Sequence, residues 1–153
     1  MEMGERLSSE IKQYILSFCP ISCINRISFI GHSLGGVIIR AALPHLQEFK
    51  SKFFTYISLG SPHLGYMYNS NKLFDAGMWL LKKWRNSQCL NQLSMTDHKN
   101  AEETCLFKLT QSQGLDWFEN VLLVCSFQDQ YVPFDSTRIQ ICKQALYEQN
   151  AAV

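Results

Sequence analysis

The sequence has no long apolar run, no block of like charge and no Cys-x-x-Cys pair, and each absence removes a class of function. Crossing a bilayer as a helix takes about 20 consecutive apolar residues. No stretch here comes near that, so no transmembrane segment is expected. Lysine and arginine (14) nearly balance aspartate and glutamate (13), and no basic cluster gives the field that a nucleic-acid partner would need. The opening Met1-Glu2-Met3-Gly4-Glu5-Arg6 mixes both signs and leads into no apolar core, so it does not read as a secretory signal. The six cysteines (Cys19, Cys23, Cys89, Cys105, Cys125, Cys142) are irregularly spaced, and Cys125 falls inside an apolar run. They read as thiols in a reducing, cytoplasmic compartment rather than a disulfide frame. No second Cys or His pair at ligand spacing accompanies Cys19 and Cys23, so no metal site is expected.

What is present is one domain's worth of chain: 153 residues, 46% hydrophobic, enough to bury a core. Leu7, Ile11, Tyr14, Ile15 and Phe18 recur at helical spacing and predict an amphipathic helix over 7–18, stopped by Pro20. Ile27–Ile30 reads as a strand, Leu34–Leu46 as a helix that Pro44 ends early or kinks, and Phe54–Leu59 as a second strand. Residues 66–118 are aromatic-rich and helical in patches, around Leu73–Trp84 and Leu90–Leu93, and read as an insertion. Val121–Ser126 is a continuous apolar run of the kind found in a parallel strand buried on both faces. A last helix is predicted from Asp135 or Ser136, with Ile139, Cys142, Ala145 and Leu146 on one face. Helices alternating with strands predict an α/β fold with a parallel sheet, whose functional groups gather at the C-terminal strand ends.

The chemistry centres on Gly31-His32-Ser33-Leu34-Gly35-Gly36, between the first strand and the helix that follows. Gly-x-Ser-x-Gly in that context predicts a nucleophile elbow. The sharp bend lifts the Ser33 hydroxyl clear of the sheet, and Gly31 and Gly35 let neighbouring backbones approach. The Leu34 N–H, at the helix N-terminus, can point at an oxyanion. The plainer reading is a Gly-Ser turn that only links strand to helix. A phosphate loop is disfavoured, because the stretch lacks the Gly-Lys-Ser/Thr ending. The other two strands also end in reactive residues, Ser61-Pro62-His63 and Asp129.

Three ordered motifs carry a family resemblance: Ile27-Ser28-Phe29-Ile30-Gly31-His32-Ser33-Leu34-Gly35, then Gly60-Ser61-Pro62-His63-Leu64-Gly65 with Tyr68-Asn69, then Gln128-Asp129-Gln130-Tyr131-Val132-Pro133. From about Ile11 to Val153 the chain resembles the lipase-like serine esterases of the α/β-hydrolase superfamily, and within them the C-terminal region of the "family with sequence similarity 135" proteins. The resemblance implies a partial α/β-hydrolase domain over 1–153, incomplete at both ends, with residues 66–118 as a cap- or lid-like insertion. It implies Ser33 as nucleophile, Asp129 as the acid, an acyl-ester or lipid substrate, and no cofactor. The His63 turn in such proteins is structural or lines the cleft. Tyr66, Tyr68, Phe74, Trp79 and Trp84 could line an acyl site or equally form a small satellite core.

A triad of this kind runs Ser, Asp, His, yet His32, His45, His63 and His98 all precede Asp129. The base is therefore expected outside these residues, and none of the four is expected to replace it. His32 should point away from the site, His45 lies on a far helical turn, and His98 reads as a solvated pair with Asp97. Two readings follow: a serine hydrolase completed by segments elsewhere, or a catalytically silent interaction module that self-associates through an open sheet edge.

Overall fold

Glu2 and Glu5 favour a helix start at the very front of the chain, where carboxylates meet unpaired amides. The first helix, α1, accordingly runs Glu2–Phe18, starting ahead of the predicted Leu7. The computed structural model describes residues 2–66 and 88–142. A Cβ on Gly4 would stand 2.6 Å from the carbonyl carbon of Ala41, so a glycine lets α1 lie directly on the next helix. That seam continues through Ser8, Ile11 and Ile15, at helical spacing. Tyr14 and Phe18, predicted on the apolar face, fall beside this seam instead; they are 62% and 71% exposed and pack on each other at 5.1 Å.

Strand β1 (Ile27–His32) leads through Ser33 into helix α2 (Leu34–Ala42). Pro44 has no N–H to give the carbonyl four residues back, and the α-helix gives way to 3-10 turns over Leu43–Lys52, with Leu46 at φ −114° and ψ 23°. Those turns still bury Leu43, Leu46 and Phe49. They deliver the chain to β2 (Phe53–Leu59), one residue earlier than predicted. Among the described residues of the region predicted as an insertion lie two short helices, α3 (Gln88–Leu93) and α4 (Cys105–Thr110). The Thr104 hydroxyl caps α4 by accepting from the Phe107 N–H at 3.4 Å. The helix expected at Leu73–Trp84 and the side chains of Tyr68, Phe74, Trp79 and Trp84 lie outside the described residues.

The chain returns as β3 (Asn120–Val124), followed by the short helix α5 (Phe134–Thr137). The sheet is parallel, ordered β1-β2-β3, with Phe29 beside Tyr56 and Tyr56 beside Val121. This is an α/β fold, a parallel sheet flanked by helices. The main core joins Leu43, Leu46 and Phe49 to Phe53, Tyr56 and Phe118, with Phe53 and Phe118 stacked at 4.9 Å. A second cluster packs Val37 and Ala41 of α2 against Leu93, Leu106 and Leu109.

Two sequence expectations fail at the end of the chain. Strand β3 is not buried on both faces: Val121, Leu122 and Val124 are 43–48% exposed, because β3 pairs only with β2 among the described residues and packs on the core through Leu123. Ile30 on β1 is exposed on the same terms. The last helix does not carry through Ile139, whose φ of +56° breaks it, and both Ile139 and Ile141 are exposed. Ala145 and Leu146 lie outside the described residues.

Candidate active site

Ser33 occupies the single residue between β1 and α2, at φ 52° and ψ −126°. Few non-glycine residues hold a positive φ, and the surrounding contacts must enforce it. Two do so here. The Ser33 N–H donates to the Leu59 carbonyl at 2.9 Å, fixing the turn to the end of β2. A Cβ on Gly31 would stand 2.6 Å from both N and Cα of Gly36, so the strand end and the first helical turn touch backbone to backbone. A Cβ on Gly35 would meet nothing within 4 Å. The tight position after the serine is Gly36, where a Cβ would collide with the Ser61 hydroxyl and stand 2.8 Å from that of Ser58. Leu34 heads the nine-residue helix, and amides at such a start have no intrahelical acceptor, so its N–H is a donor at a positive helix end.

Asp129 sits on the turn after β3. Its Oδ1 accepts from the N–H groups of Tyr131 (2.8 Å) and Val132 (3.0 Å), which fixes the carboxylate on its own loop. Its Oδ2 lies against Gly60, where a Cβ would come within 3.3 Å. Gly60 donates its N–H to the Val124 carbonyl at 2.9 Å and has φ +55°. Ser33 and Asp129 therefore both lean on the Leu59-Gly60 peptide at the C-terminal end of the middle strand, one from each side.

Below them lies a buried polar layer. His63 is fully buried beneath its turn, Nε2 2.7 Å from the Ser58 hydroxyl, and burial with the nearby Arg40 charge lowers its pKa to about 3. Its Nδ1 and the Ser61 hydroxyl have no hydrogen-bond partner among the described residues. Arg40, one helical turn and more beyond the serine, donates to the His63 carbonyl at 3.2 Å, and burial lowers its pKa. The Tyr56 hydroxyl donates to the Gly36 carbonyl at 2.9 Å, its pKa pushed up to about 12 by burial. Ser136 of α5 closes the layer: its hydroxyl accepts from the Leu64 N–H (3.1 Å) and donates to the Gly65 carbonyl (2.7 Å).

The remaining histidines stand apart from this arrangement. His32 and His45 are exposed. His98 accepts the Asn100 N–H at 3.1 Å while Asp97 accepts that of Cys105 at 2.8 Å, so each is engaged by backbone. Among the described residues no three His, Cys, Asp or Glu gather as a metal site, and no helix is long and apolar enough to cross a membrane.

A serine of positive φ thus stands between strand and helix, and a carboxylate on the turn after a later parallel strand, which is the context in which Gly-x-Ser-x-Gly carries meaning. The chain matches the family model described as "Putative serine esterase (DUF676)" over residues 1–144. It belongs to that family. Among curated proteins it is 37% identical over 65 residues to "Putative lipase ROG1" of Saccharomyces cerevisiae, a match covering 39% of this chain and 10% of that relative. The chain thus spans a small part of that relative's length. No solved structure matches it.

Four residues of this arrangement were not singled out from sequence: Gly36, Arg40, Ser58 and Ser136. Gly36 carried a signal, a second glycine after the motif, but the others are ordinary polar residues that only tertiary packing brings together.

Proposed function

We propose that this domain carries the nucleophile and the acid of a serine hydrolase acting on carboxylic esters, acyl or lipid. Ser33 Oγ attacks the acyl carbon as its proton passes to a histidine that lies outside these residues. Asp129 holds that imidazole through the carboxylate oxygen facing Gly60. The Leu34 N–H stabilises the oxyanion, the alcohol leaves with the transferred proton, and water then releases the acid by the reverse path. Gly31 and Gly35 flank the nucleophile in this reading, and the turn through His63 supports the cleft from beneath. Residues 66–118 act as the cap over it. We assign the protein to the cytoplasm on the charge pattern and cysteine usage of its sequence.

The observation that carries this reading is the positive φ of Ser33 at a strand-to-helix turn. Strain of this kind persists where function repays it. The test is hydrolysis of short acyl esters by the full-length protein. Ser33→Ala should lower turnover by about 10⁶ and Asp129→Asn by about 10⁴. Equal turnover in Ser33→Ala and the unaltered protein overturns the proposal.

A second reading, a catalytically silent module that self-associates, is favoured by one observation: Ile30, Leu122 and Val124 leave an apolar sheet face 45–69% exposed. It predicts a full-length protein without esterase activity whose association weakens in Ile30→Lys.

A further inference from the structure

Gly36 is where the turn around Ser33 is held. Its N–H donates to the Ser33 carbonyl at 3.3 Å, and its backbone touches Gly31 at the end of β1. The hydroxyls of Ser58 and Ser61 fill the space where a side chain would begin, and its carbonyl accepts from the Tyr56 hydroxyl at 2.9 Å. Joined at once to the strand end, to the serine's carbonyl and to β2, Gly36 does not shift without moving Ser33.

The bond into the Gly36 carbonyl ends a line of three fully buried side chains, His63, Ser58 and Tyr56. Counting protons gives the line its direction. A phenol has one O–H, and that of Tyr56 is used on Gly36. The Ser58 hydroxyl, which hydrogen-bonds the Tyr56 oxygen, therefore donates to it. The Ser58 oxygen is left to accept from His63 Nε2, 2.7 Å away. His63 thus carries its proton on Nε2, and Nδ1, buried and without a partner among the described residues, is a bare acceptor. The other tautomer would bury an unpaired N–H, the rarer arrangement. All the donors point toward Gly36, so each bond strengthens the next. Arg40 anchors the far end, Nη1 donating to the His63 carbonyl at 3.2 Å.

We propose that Tyr56 is a positioning residue for the reaction at Ser33: the line from His63 through Ser58 and Tyr56 to Gly36 holds the serine's turn and the Leu34 amide in place for the acyl carbon. The proposal rests on Ser33 being the nucleophile. Tyr56 is fully buried and acts only through Gly36, on the first turn of α2. Misplacing a reacting group by on the order of 1 Å costs roughly 10²-fold in rate. Lost stability alone, by contrast, leaves the folded molecules reacting at full rate.

The test is the rate at which a fluorophosphonate labels Ser33 in the full-length protein, with kcat and KM for a short acyl ester and a denaturant melt for every variant. Tyr56→Phe keeps the ring and removes the donor to Gly36. It should label about ten- to a hundredfold more slowly, with kcat lowered to match and KM unchanged. Ser58→Ala should also slow labelling, and it carries the comparison if Tyr56→Phe does not fold. The double variant should label no more slowly than Tyr56→Phe alone, because both changes break one line. Phe49→Leu, a core change away from Gly36, should lower stability and leave the labelling rate unaltered. Nitrogen NMR of His63 should show a protonated Nε2 and a bare Nδ1. Labelling as fast in folded Tyr56→Phe and Ser58→Ala as in the unaltered protein overturns the proposal and keeps the hydrolase. A proton on Nδ1 overturns it too, since Ser58 would then donate to His63 and not to Tyr56. An unaltered protein that takes no label removes the nucleophile itself, and the positioning role with it.

Discussion

Asp129 and Gly60 are in close contact: the carboxylate Oδ2 occupies the side of Gly60 where any side chain would begin, 3.3 Å from the position of a Cβ. Gly60 also has φ +55°, a conformation that costs other residues about 1–2 kcal/mol. Gly60→Ala should therefore destabilise by about that amount and displace the acid. Denaturant melts and ester turnover, measured together, check this. A variant with unaltered stability and turnover would show that the contact is immaterial.

The three glycines around the serine should respond unequally. Gly35→Ala places a methyl in open space within a helix and should be neutral or stabilising by up to about 1 kcal/mol. Gly31→Ala and Gly36→Ala force the strand end, α2 and the Ser61 turn apart, and should cost about 1–3 kcal/mol each. Chemical denaturation of the three variants gives the ranking directly.

His63 should make the fold acid-sensitive. Buried, it titrates at about 3 instead of 6.5, so the unfolded chain binds the extra proton between those values. Stability is fully present above about pH 6.5 and falls as pH drops toward 3, at up to roughly 1.4 kcal/mol per pH unit. His63→Gln should flatten that slope in melts recorded from pH 7 to pH 4. An unchanged slope would assign the acid sensitivity to other groups.

Ser136 ties α5, which follows the acid's turn, to the His63 turn through a part-buried Leu64 N–H and a buried Gly65 carbonyl. Ser136→Ala leaves the Leu64 N–H and Gly65 carbonyl unpaired and should cost about 1–3 kcal/mol. Hydrogen exchange at Leu64 should rise accordingly, and unaltered protection there would contradict the assignment.

Periodicity and punctuation made the strand–turn–helix around Ser33, the parallel order of the strands and the early end of α2 at Pro44 legible in the sequence. Burial was harder to read. Val121–Val124 has the composition of a central strand, yet composition does not say how many neighbours a strand has. Tyr14 and Phe18 have the spacing of a core face, yet the contact of Gly4 with Ala41 decides which face is inside. At the site, Ser33 and Asp129 were named from motifs. His63 was named with its turn, but the Ser58, Arg40 and Ser136 that surround it beneath them were not, because pairs such as Ser136 and Leu64 meet only in the folded chain.

The central claim, that Ser33 is an activated nucleophile, meets its most direct test in a fluorophosphonate probe on the full-length protein followed by peptide mass spectrometry. The account predicts one probe adduct, on the peptide containing Ser33, absent from Ser33→Ala and slowed in Asp129→Asn. A full-length protein that takes up no probe, or takes it up equally well in Ser33→Ala, would contradict it.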